Sequence, residues 1–136
     1  MLALERAIYA KLDGDATLTA LLAAQHNVFP EVIPADKSLP AVVFAQIGQG
    51  EDAYTYGTHA FETLDYLVKA VTVGYDPESA QAIADRIFAL LNNVVLSISG
   101  STQMMCHRLG RVSYPERGDA GDHYNHRGGI YRWIVQ

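Results

Sequence analysis

Residues 64–93 read LDYLVKAVTVGYDPESAQAIADRIFALLNN, and the change of period inside this stretch decides the fold class. Over residues 61–73, Leu64, Tyr66, Val68 and Ala70 alternate with Thr63, Asp65 and Lys69. That period of two lays one face of a strand on a core. Asp76-Pro77-Glu78 then sets out a helix start: a capping carboxylate, a proline at the first helical position and an acid in the first turn. Beyond it Ala80, Ile83, Ala84, Ile87 and Leu91 recur at helical spacing as a buried stripe, and Asn92-Asn93 end the helix.

Working outward, the N-terminal segment is a second helical stripe, with Leu4, Ala7, Ile8, Lys11 and Leu12 on one face. Gly14 is expected as a left-handed C-cap. Asp15 is expected to cap a short helix carrying Leu18, Leu21 and Leu22. The passage HNVFPEVIPADKSLP holds three prolines and reads as an extended edge segment around Val28–Phe29, followed by a loop. Pro40 leads into the strand-like AVVFAQIG, and residues 48–60, with three glycines, read as a hairpin loop of projecting length. A strand from Met104 to Tyr114, a loop over 115–122 and a last strand HYNHRGGIYRWIVQ complete the chain. Gly128-Gly129 marks a bulge or a close backbone approach in that strand. Helix, helix, strands, helix, strands joined by hairpins predict an α+β domain over residues 1–136, with a largely antiparallel sheet and helices on one face.

Composition narrows the function. The chain has 136 residues, 49% hydrophobic, enough for one core. Charged residues make up 18%, below the usual share of roughly 25%. The net charge of −5 disfavours general nucleic-acid binding. The charge is uneven: residues 1–85 carry twelve acids and four bases, while 86–136 carry three acids and six arginines. The two halves are suited to meet across a subunit interface, or to pair within one surface. A single cysteine excludes an intrachain disulfide and fits a reducing cytoplasm. No apolar run reaches the roughly 20 residues of a membrane span, and the N-terminus lacks the pattern of a signal peptide.

Catalytic and metal signatures are weak. Cys106-His107 are strand neighbours whose side chains point apart, so the pair does not make a nucleophile with its base. His123 and His126, three apart on a strand, also diverge, and no HExxH or CxxC supports them. Glu116, Asp119 and Asp122 do not follow the calcium-loop spacing. No cofactor or metal is expected. Tyrosines, arginines and acids collect instead around the two glycine-containing loops. Glu51, Asp52, Tyr54, Tyr56, His59, Arg117, Asp119, Asp122, His123, Tyr124, His126 and Arg127 are the expected protein–protein contact residues.

Over nearly its full length the pattern resembles the tail terminator, or tail-completion, proteins of long-tailed phages and phage-like gene transfer agents. The residues that carry the resemblance are LERAIYAKLDGDATLTALL, VFPEVIPADKSLPAVVFAQIG, the strand-into-helix stretch quoted first, and RVSYPERGDAGDHYNHRGGIYRWIVQ. The resemblance implies a structural protein with no enzymatic activity. It implies a six-fold homo-oligomeric ring, assembled in the bacterial cytoplasm and carried in the particle at the head–tail junction. One face would bind the tail-tube protein and stop its polymerisation. The other would dock on the connector or stopper, with DNA passing through the lumen unbound. The rival readings are a head–tail stopper or other minor joining protein, a generic binding module, and a small metal- or cysteine-dependent enzyme using Cys106, His107, His123 and His126.

Overall fold

The computed structural model describes residues 1–136. Helices α1 (Leu2–Asp13) and α2 (Ala16–Leu21) precede strands β1 (Val28–Pro30), β2 (Ala41–Thr55) and β3 (Thr58–Val73). Helix α3 (Glu78–Leu91) and strands β4 (Gln103–Arg117) and β5 (His123–Val135) follow. The five strands form one sheet in the order β1-β2-β3-β5-β4. Only the short β1 runs parallel to its neighbour; every other pair is antiparallel. The fold is therefore α+β, with a mostly antiparallel sheet.

The alternation in β3 works as read. Leu64, Tyr66, Val68 and Ala70 are buried beneath the helices, while Asp65, Leu67 and Lys69 look to the open face. Opposite them in β5 stand Tyr131 and Trp133, both fully buried. Trp133 meets the Tyr66 ring edge-on at 5.7 Å, the arrangement the ring quadrupoles favour. The α3 stripe closes this core with Ile83, Ile87, Leu90 and Leu91, and α1 adds Leu4, Ile8 and Leu12. The Tyr66 hydroxyl donates to Glu5 at 3.2 Å, tying α1 to the sheet.

Asp15 joins all three helices. Its Oδ2 accepts the Leu18 N–H at 2.8 Å and caps α2. Arg86 of α3 grips both carboxylate oxygens at 2.9 and 2.7 Å. That bidentate bond holds the Asp15 carboxyl below its ordinary value, helped by the Leu18 N–H against the opposing effect of burial.

Four expectations change. Gly14 is not left-handed: its φ of −80° is right-handed, its N–H donates back to Ala10, and the next N–H, of Asp15, donates to Leu12. Its missing side chain matters instead, because a Cβ there would meet the Ala10 carbonyl at 2.8 Å. The helix after Asp76 begins at Glu78, with Pro77 just outside it, although Asp76 still accepts the Glu78 N–H at 2.9 Å. Residues 48–60 are not a loop. β2 and β3 continue through them and turn only at Tyr56-Gly57. The glycines of 48–50 sit at a β-bulge between Ile47 and Glu51, where Gly48 has a positive φ. Likewise β4 runs on to Arg117, leaving 118–122 as the turn.

Gly128-Gly129 is a close approach, and the bulge lies just beside it in β4, between Arg108 and Gly110 and opposite Tyr131 and Ile130. A Cβ on Gly128 would stand 2.2 Å from the Val68 carbonyl oxygen and 2.5 Å from the Lys69 Cα. Neither atom can swing away, because both are backbone of the paired strand. Gly128→Ala is therefore expected to destabilise by about 2 kcal/mol or more. Gly110→Ala, where a Cβ meets nothing within 4 Å, should leave the urea midpoint nearly unchanged. Equal midpoints for the two variants would contradict this packing.

Candidate assembly surfaces

The two hairpins leave the sheet at opposite ends. β5 stops pairing with β3 at Glu62↔Val135, so the β2–β3 ribbon beyond it projects as an unsupported arm. Tyr54, Tyr56 and His59 lie on this arm, Glu51 and Asp52 stand at its root beside the last β3–β5 pairs, and all five are exposed. The arm has its own small order: Asp52 lies 3.1 Å from the His59 ring, and Tyr54 meets that ring edge-on. Tyr56 and Gly57, with φ of 51° and 79°, make the tip. Paired positive φ values give a turn that matches strand twist, but a bulky residue is rarely found there. The Tyr56 side chain is 103% exposed. Local packing therefore gives no reason for a tyrosine at this position.

The β4–β5 hairpin lies at the other end. Arg117, Asp119 and Asp122 are exposed at its turn. His123 stacks on the exposed Tyr75 at 4.9 Å. Tyr124 packs beneath Gly118, where a Cβ would come within 2.9 Å of the ring. Two of the expected contact residues turn inward. Arg127 donates to Gln81 of α3 at 3.1 Å. His126 is buried on the open face of the sheet and stacks on Tyr114 at 4.4 Å. Its Nε2 lies 2.9 Å from Glu116, while its buried Nδ1 has no partner. Burial pulls the His126 pKa down from 6.5; the bond to Glu116 opposes this and Lys69 adds to it.

Two members of these clusters carried no sequence signal: Lys69, which donates to the Tyr114 hydroxyl, and Tyr75. Strand register places Lys69, and the bend that follows β3 places Tyr75. Beside Lys69 and His126, the segment 31–39 arches over the open face and walls a groove of about 540 Å³ floored by Val43 and Val71. The residues of the enzyme reading do not converge. Cys106 is buried and its thiol is pushed up to about 12 by desolvation. No three His, Cys, Asp or Glu side chains gather as a metal-binding group. No helix is long and apolar enough to cross a membrane.

The model of the family "Tail completion protein gp17" matches residues 6–136. The chain belongs to this family. Membership makes it a tail completion protein and places it among the structural proteins of phage-type particles. Its fold agrees with a solved chain from the virion of a native gene transfer agent particle: TM-score 0.73, 20% identity, 97% of this chain and 93% of that one covered. A second solved chain superposes with TM-score 0.64 and 19% identity over 98% of this chain and 94% of that one. No curated protein matches. The resemblance read from packing patterns is thus borne out.

The buried His126 of this tail completion protein has a pH consequence. The unfolded chain takes up its proton near 6.5 and the native chain only at lower pH, so the unfolded state binds more protons in that window. Stability should fall as pH drops through and below 6.5. Asp15, whose pKa is lowered from 3.8, loses its contribution only under far more acid conditions. Melting curves between about pH 7.5 and about pH 5 should show a steeper loss of Tm for the natural chain than for His126→Phe. Identical slopes would contradict the assignment.

Proposed function

We propose that this tail completion protein closes into a homo-oligomeric ring, six-fold as the tail-terminator resemblance implies. The ring caps the last ring of tail-tube protein and ends its polymerisation. Its other face joins the connector or stopper at the head–tail junction, and DNA passes through the lumen. A tube grows while each added ring offers the surface it was added to. A terminator copies one contact and presents a different surface on the other side.

The observation that carries this reading is the unlikeness of the two ends. One end presents an acidic, tyrosine-tipped arm, and the other a compact turn with Arg117, Asp119 and Asp122. A subunit with two unlike ends is suited to match tube protein at one and a connector at the other. The acid excess of residues 1–85 suits a lumen that must not hold DNA. The exposed tyrosines are of the kind that anchor interfaces.

The test is native mass, alone and with the tail-tube protein. A ring-sized species that binds tube ends and halts their growth is the expected result. A ring that ignores tube protein but binds the connector would favour the stopper reading. A monomer indifferent to both would remove the proposal. Within the same assay, Tyr56→Ala should leave the melting temperature within about 2 °C, since the side chain touches nothing, while weakening capture of its partner roughly tenfold or more.

A further inference from the structure

The sheet has two unfinished edges, on opposite sides and opposite in charge. On one side β1 covers β2 only from Val42 to Phe44. Val42 donates outward to Asn27 and Phe44 accepts outward from Glu31. By alternation Gln46 and, beyond the bulge, Asp52 also turn their backbone groups outward, with nothing to meet them. On the other side, Asn93 and Asn92 cover β4 only at Cys106 and Arg108. Past the Arg108/Gly110 bulge, Arg111 and Ser113 face outward unpaired. Pro115 comes next outward and has no N–H, which ends the usable edge.

We infer that these two edges join to each other between copies of the chain: the free β2 edge at Asp52 adds to the free β4 edge at Arg111 of the next subunit. The inference rests on the ring reading and specifies its seam. Three features fit.

The first is direction. In the order β2-β3-β5-β4 every pair is antiparallel, so β4 runs opposite to the β2 of a neighbour held in the same orientation. The new pair continues the antiparallel ladder.

The second is charge and face. Asp52 and its cross-strand neighbour Glu62 lie on the helix side of the sheet, and so does Arg111, which pairs with Gly129 between Arg127 and Tyr131. Opposed residues of a continued sheet share a face. The acids therefore meet the arginine rather than pointing away from it. Arg111 has no ion pair within its own subunit, whereas Arg86 and Arg132 are committed to Asp15 and Asp65. Asp52 has only the exposed contact with His59.

The third is stagger. Asp52 stands level with Glu62 of β3, and Arg111 with Val68, through the pairs Gly129↔Val68 and Arg111↔Gly129. Joining them shifts each subunit by six residues of β3, roughly 20 Å along the strands. Each subunit contributes four strands at this level, roughly 19 Å across, so the strands tilt by roughly 45°, at the upper end of the range for closed barrels. With this shift Arg111 and Ser113 stand level with Glu62 and Leu64, short of β1, whereas Arg117 comes level with Phe44, so the added strand has to leave the ladder at Pro115 for β1 to stay in place. Contact between unlike edges is heterologous, the kind that closes into a ring when its rotation closes.

Native mass spectrometry across a dilution series tests the seam. Asp52→Arg alone and Arg111→Asp alone should each raise the concentration at which rings dissociate by about tenfold or more, and the double exchange should recover most of that loss. As a second measure, Asp52→Cys with Arg111→Cys should oxidise to an interchain ladder, because directly opposed hydrogen-bonded residues stand about 5.5 Å apart at Cα. Rings that ignore both charge changes and give no crosslink would overturn the seam while leaving the ring intact. No ring, alone or with tube protein, would remove the ring reading itself. Loss of tube-protein capture by Asp52→Arg with unchanged rings would assign the arm to the tube and overturn the seam.

Discussion

The architecture depends on β5. The last strand in sequence lies inside the sheet, with β3 along one side and β4 along the other, so neither the sheet nor its core is complete until the C-terminal residues dock. Two features fix its register. Trp133 and Tyr131 fill the space under the helices opposite Leu64 and Tyr66. Gly128 lets the backbones close where any side chain would strike the Val68 carbonyl. A slip by one residue would bring Ile134 and Ile130 to the core face and turn the indole to solvent, so the register has no near competitor.

Because all three helices lie on one face, the opposite face is left to strands, the 31–39 segment and a few polar clusters. Lys69, Tyr114, His126 and Glu116 form one such cluster, held by ring stacking, hydrogen bonds and a cation above a ring. The protein commits its polar groups here to internal order. The arm and the free edge of β4 carry tyrosines and charges with little or nothing to satisfy them inside the subunit. For a family whose members complete tails, the division is between a rigid subunit body and contact elements placed at its rims.

The charge asymmetry between the halves of the chain serves two purposes. Arg86 and Arg132 reach back to Asp15 and Asp65 and bind the halves of one subunit together. Arg108 lies over the Phe88 ring at 4.0 Å, so it too is spent internally. Arg111 and Arg117 remain on the β4 edge without ion pairs. Both readings of the asymmetry, pairing within a surface and pairing across an interface, therefore find residues to act on.

The sequence by itself determined the fold class, the α3 stripe, the Asp15 cap and the strand-into-helix turn, because each rests on short-range periodicity or on hydrogen bonds a few residues apart. It also determined the family, since order and spacing hold along the whole chain. It did not determine that 48–60 is strand: glycines and polar residues mark a loop locally, and only continuous pairing with β3 makes an arm of them. It did not separate the expected contact residues into the exposed ones and the inward-turned His126 and Arg127, because strand parity becomes a direction only once the helices have chosen a face. Nor did it place acid and arginine on opposite free edges. That follows from strand order, which non-local pairing sets and no local pattern encodes.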